Sequence, residues 1–142
     1  MFNTICDALI SGTINMVDTA SNFRYRKSER VVGAAVRYLM KEKYFQREEM
    51  VLGSKGGFIA EDADLGVTQR QIVKRLLAKK VIASEAEVYQ SSCIEPSFIA
   101  HQFEETLDNM GLQALDCYAV NLPEVHLTRL ARPEFYRKLL VS

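Results

Sequence analysis

A chain of 142 residues with 48% apolar and 25% charged side chains has the usage of one folded globular domain and excludes a disordered segment. Its 18 basic residues balance 18 acidic ones, so no net field favours nucleic acid or an anionic membrane surface. No apolar run approaches the roughly 20 residues of a membrane span, and MFNTICDALISG lacks the basic-then-apolar pattern of a signal peptide.

A cytoplasmic location is therefore expected. Cys6, Cys93 and Cys117 are odd in number and far apart, without metal-ligand or Cys-x-x-Cys spacing. They are expected to be reduced, buried thiols, with no metal site.

In chain order, residues 3–11 place Ile5, Ala8 and Leu9 at helical spacing, with Gly12 suited to the C-terminal cap. Residues 14–18 read as the first strand, an apolar run (Ile14, Met16, Val17) that delivers Asp18 to its carboxyl end. Ser28 reads as the N-cap of a helix through about Lys43, with Glu29 favourable at its positive end. Val32, Val36 and Leu39, widened by Ala35 and Met40, make its inward stripe, while Arg30, Arg37, Lys41 and Glu42 are expected to face water.

The second strand is predicted over 50–54, ending at Lys55 and the turn Gly56-Gly57. Residues 58–67 read as loop. Thr68 to Gln71 has capping-box spacing ahead of a short helix carrying Ile72, Val73, Leu76 and Leu77 and closed by Lys79 and Lys80. Residues 81–94 read as coil. Pro96 fits a first helical position, and Ile99, Phe103, Leu107 and Met110 form the stripe of a helix ending at Gly111. Residues 115–122 are the third predicted strand, and another helix starts near Pro133 with Phe135, Leu139 and Leu140. Strands alternating with helices imply parallel pairing through right-handed crossovers, an α/β fold.

Asp18 and Lys55 close two successive strands at their carboxyl ends, where parallel α/β sheets place their chemistry. An ion pair between them is expected. It serves either as a buried structural pair or as a device that lowers the pKa of a nearby hydroxyl and makes it a usable acid. GSKGG (53–57) lacks phosphate-loop spacing, and no Gly-x-Gly-x-x-Gly occurs, so a Rossmann dinucleotide site has no support. His101 falls with Glu104, Glu105 and Asp108 on a helix face expected to be solvated. His126 follows the third strand and is placed within reach of the carboxyl edge.

The stretches GTINMVDTASNF, SERVVGAAV, REEMVLGSKGG and CIEPSFIAHQFEETLDNMGLQALDCYAVNLPE, in this order and spacing, resemble the aldo-keto reductases. The long insertion before CIEPSF is similar to the galactose-dehydrogenase-like branch. The resemblance implies a (β/α)8 TIM barrel that interconverts carbonyls and alcohols with NADP(H). It implies an Asp, a Tyr, a Lys and a His at the site, with the Tyr donating a proton to the carbonyl oxygen as hydride arrives from the nicotinamide.

Asp18 matches the Asp and Lys55 the Lys. Phe23 stands at the Tyr position, with no proton to give, and Tyr25 lies two residues on. Asn121 stands at the His position and retains a hydrogen-bond donor.

The resemblance covers a partial barrel of about three parallel strands, against the roughly 250 residues of a whole one. The chain is expected to be a single truncated domain over 1–142, without the family's pyrophosphate-binding half and inactive on its own. Three readings follow. The chain is part of an NADPH-linked reductase of small carbonyls or sugars, or a pseudoenzyme serving as a structural or protein-interaction module. The third is a doubly wound domain binding a small anion through Lys55 and Arg24. Exposed sheet edges and an uncovered inner face imply self-association.

Overall fold

The computed structural model describes residues 1–140. In chain order it contains α1 (Phe2–Ile10), β1 (Met16–Asp18), α2 (Lys27–Lys41), β2 (Val51–Gly56), α3 (Gln69–Ala78), α4 (Pro96–Met110), β3 (Cys117–Val120) and α5 (Arg132–Leu140). Short 3₁₀ turns at Arg47–Glu49, Glu85–Glu87 and Pro123–Thr128 join them. The alternation predicted from the sequence is thus the alternation observed. All three strands are parallel in one sheet of order β1-β2-β3, with Asp18 opposite Gly53 and Lys55 opposite Ala119.

Strand and helix limits shift for identifiable reasons. β2 runs past its predicted end because Lys55 and Gly56 still pair with Ala119 and Val120. Ser28 is not the N-cap of α2. The cap position is Arg26, in the left-handed region at φ 70°, and Ser28 lies inside the helix with its hydroxyl accepting from Thr19 Oγ1 at 3.0 Å. Thr68 caps α3 as its spacing predicts, exchanging hydrogen bonds with Gln71. Gly111, at φ +62°, ends α4.

One apolar core lies between the outer face of the sheet and α1, α2 and the end of α4. It contains Cys6, Leu9, Val32, Val36, Leu39, Leu52 and Met110. α2 and α4 approach so closely at Gly33 that a Cβ there would collide with the main chain of Met110, so only glycine permits this packing. A second core gathers Ile59, Leu76, Ile82, Cys93, Phe98 and Ile99. Its members from the predicted loop 58–67 and the predicted coil 81–94 lie beside the bridges Phe58 to Ser92 and Asp62 to Val67.

The buried face of α4 departs from the predicted stripe. Gln102 and Thr106 are buried alongside Ile99 and Met110, while Phe103 and Leu107 are half-buried. Arg30 likewise does not simply face water. It binds Asp62 and Asp64 and tethers the 61–68 loop to α2.

Cys6 and Cys93 are buried free thiols, but Cys117 is exposed because it faces the uncovered side of β3. Burial raises the thiol pKa of both buried cysteines, that of Cys93 to about 12. Among the described residues, no helix is long and apolar enough to cross a membrane.

Candidate active site

Side-chain alternation puts Met16, Asp18, Val51, Lys55, Cys117 and Ala119 on one face of the sheet. A Cβ built on Gly53 would lie 3.3 Å from an Asp18 carboxylate oxygen and 3.8 Å from Cys117 Cβ, which fixes all three on that face. Helices cover the opposite face. This inner face is open: Met16 is 55% exposed and the Asp18 side chain 51%.

Lys55 reaches Asp18 in an ion pair, and its ammonium also donates to the main-chain oxygen of Thr19 at 3.1 Å. The pair is not sealed from water: the Lys55 side chain is 25% exposed and that of Asp18 51%. Its Coulombic attraction is correspondingly screened. Phe23 completes the cluster, its ring centroid 5.4 Å from Lys55 Nζ.

The loop that carries Phe23 is built on buried polar anchors. Thr19 N–H donates to Gly53 O at 3.0 Å and Ser21 N–H to Lys55 O at 3.3 Å, prolonging the ladder beyond β1. Arg24, Tyr25 and Arg26 then follow one another at φ 51°, 56° and 70°. Three successive non-glycine residues in the left-handed region cost roughly 1–2 kcal/mol each. This turn leaves Tyr25 59% exposed. There it lines a groove of about 480 Å³ with Asn22, Phe58, Glu61, Gln69 and Ser91, and it makes no recorded contact with Lys55. Arg24 extends toward Met1, with Nη1 2.9 Å from the thioether sulfur.

Asn121 continues from β3. Its N–H donates to Gly56 O at 2.7 Å, and its side-chain amide donates to Asn22 Oδ1 at 3.0 Å, bridging the third strand to the β1 loop. His126 does not reach this edge. It is buried, with Nε2 3.1 Å from Ser92 Oγ, and burial together with the Arg129 charge lowers its pKa. His101 lies on α4 with Nε2 3.7 Å from Glu105.

Two supporting residues escaped the sequence reading. Gln102, 1% exposed, accepts from Gly57 N–H at 2.6 Å and donates to Phe58 O at 2.7 Å and Ser21 Oγ at 3.3 Å. It ties the ends of β1 and β2 to α4. Glu29, 0% exposed, accepts from Ser54 Oγ at 2.8 Å, Thr106 Oγ1 at 3.0 Å and Asn109 Nδ2 at 2.9 Å. Its place at the start of α2 signals only a favourable helix dipole, whereas its three donors come from β2 and α4. Among the described residues, no three His, Cys, Asp or Glu side chains gather as metal ligands.

The aldo/keto reductase family model matches residues 2–138. Solved structures with the same fold include a Bombyx mori aldo-keto reductase in complex with NADP, at 16% identity and TM-score 0.55. The aldose reductase from Schistosoma japonicum (19%, 0.54) and a holo-form aldo-keto reductase from Bacillus halodurans (18%, 0.53) share it too. The matches cover 86%, 84% and 82% of this chain but only 28%, 28% and 29% of the respective structures. The chain thus spans little more than a quarter of their length, and its three parallel strands with flanking helices correspond to part of a TIM barrel. No curated protein sequence matches it.

Proposed function

Because this chain belongs to the aldo/keto reductase family, we propose that Asp18, Lys55 and Asn121 are the polar members of a carbonyl–alcohol oxidoreductase centre and that this chain alone does not turn over. The observation that carries the reading is the Phe23 ring, 5.4 Å from Lys55 Nζ, at the sequence position that the family resemblance gives to the proton donor. A phenol there would sit beside a cation, which favours its ionised form and lowers its pKa. A phenyl ring gains only cation–π attraction and has no proton to transfer.

Lys55, held by Asp18, and the Asn121 amide remain able to donate hydrogen bonds to a carbonyl oxygen at the open face. The substrate class in this reading is a small carbonyl or sugar, and the groove beside Asn22 and Tyr25 is the approach to the edge.

The donor set does not suit NADP(H). A dinucleotide needs several free donors and cations for its phosphates. At this edge Lys55 keeps one N–H beyond those on Asp18 and Thr19, the Asn121 amide one beyond that on Asn22, and the Gly57 N–H is taken by Gln102, too few for a pyrophosphate. Arg26 Nε is the one buried side-chain polar atom without a partner among the described residues, and Arg26 is turned to Glu105 instead. In this reading the described residues act as one partial-barrel domain without a built cofactor site.

Phe23→Tyr tests the proposal. The expected result is a folded protein that still fails to oxidise NADPH against a panel of aldehydes and sugars. NADPH-dependent reduction by this variant would overturn the argument from the donor set.

A second reading is favoured by the open face itself. There the chain is a non-catalytic module whose inner face and outer β1 and β3 edges pack against a second copy. Light scattering coupled to size exclusion is expected to give a dimer, and a compact monomer would sink that reading.

A further inference from the structure

On the helical side of the molecule lies a hollow of about 150 Å³ that no strand residue lines. Its floor is apolar, formed by Val67 from the 61–68 loop and by Ile72 and Leu76 of α3. Its walls carry the cations Arg26, Arg75 and Lys79 together with the acids Asp62 and Glu105. An apolar cavity of this size admits one benzene ring.

The acids beside it are already engaged. Asp62 is held by Arg30 and by the N–H groups of Asp64 and Leu65. Glu105 is held by Arg26 at 2.9 Å, with His101 also at 3.7 Å. The side chains of Arg75 and Lys79, both exposed, have no hydrogen-bond or ion-pair partner among the described residues. Arg26 itself is nine-tenths buried and answered by Glu105, but its Nε–H has no acceptor, a buried donor whose unmade hydrogen bond costs free energy. At the rim, Leu65 leaves 71% of its surface in water. The unpaired cations Arg75 and Lys79 thus meet unfilled apolar surface in one hollow.

We propose that this hollow is a binding site for a small organic carboxylate with a ring-sized apolar body, the ring resting on Val67, Ile72 and Leu76 and the carboxylate meeting Arg75 and Lys79. This inference is independent of the sheet edge and of the reading made there. Arg26 also ends the left-handed turn of residues 24–26, so an occupant would rest one residue from Tyr25.

Fluorine NMR titration of the full chain with 4-fluorobenzoate tests the proposal, with 4-fluorobenzyl alcohol as the uncharged counterpart. Saturable binding of the carboxylate alone is expected. Arg75→Ala combined with Lys79→Ala should weaken it about tenfold or more, since each charge-assisted hydrogen bond carries about that factor. The milder Arg75→Gln should weaken it in the same direction, and Lys74→Ala, a cation of α3 outside the hollow, should leave it unchanged. Circular dichroism checks that each variant is folded. Absence of saturation, equal binding of the alcohol, displacement by inorganic phosphate as effective as by benzoate, or unaltered binding in the folded double variant would each overturn the proposal.

Discussion

The two faces of one short sheet behave as different materials. On the outer face, Leu52 and Ser54 of β2 are at most 1% exposed and pack against helices, and even the carboxylate of Glu29 is sealed in and saturated by three donors. Across the same strands, Met16, Asp18 and Cys117 lie open. Parallel sheets are ordinarily covered on both sides, so stability here is carried by the outer layer and the proposed site residues by the inner one. Substitutions should separate the two cleanly.

The largest effect is expected at Glu29. Glu29→Ala removes the shared acceptor of Ser54, Thr106 and Asn109 and leaves their donors buried, a loss of about 3–5 kcal/mol. Urea denaturation followed by circular dichroism would check it. A loss under 1 kcal/mol would mean the outer layer is not the stabilising one.

Acid should act next, and on the same covered side. The Arg30 guanidinium, with help from the N–H groups of Leu65 and Asp64, holds the Asp62 carboxyl down to about 2, against an ordinary value of 3.8. The folded value lies below the unfolded one, so the stabilisation is present above 3.8 and disappears as the pH falls through 2. Allowing for screening at the partly exposed Arg30, it amounts to about 1–2 kcal/mol. Asp62→Asn should flatten the stability profile between pH 5 and about pH 2.

On the inner face, Asp18→Ala should cost less than about 1 kcal/mol, because the pair it breaks is half in water. The same denaturation experiment reads it, and a loss rivalling that of Glu29→Ala would erase the distinction between the faces. Smallest of all, Arg24→Gly should raise stability by about 0.5–1 kcal/mol, since glycine adopts φ 51° without strain. Thermal melts would show it as an increase of a few degrees.

Much of this was legible in the sequence. The order of helices and strands followed from periodicity, and Asp18 and Lys55 were found because a strand end is where a lone carboxylate or ammonium stands out. The Gln102 and Glu29 hubs were not legible, because their partners are remote in sequence and a polar residue on a helix reads as surface. Residues 58–67 and 81–94 are loop and coil as read, and what the sequence did not show there is burial. Ile59, Ile82 and Cys93 sit in apolar runs too short to show a period, and their common core forms between segments remote in sequence, with Phe58 bridged to Ser92. Ser28 looked like a cap because local chemistry favours it there, but the left-handed turn through Arg26 starts the helix early.

NADPH fluorescence tests most directly the central claim that the open face holds a family centre without a working cofactor site. The chain has no Trp, so protein emission interferes little with that of the nicotinamide. Titrating a folded sample should give no saturable enhancement. Saturation at micromolar cofactor would contradict the account and would mean that donors now engaged by Asp18, Asn22 and Gln102 are released to the nucleotide.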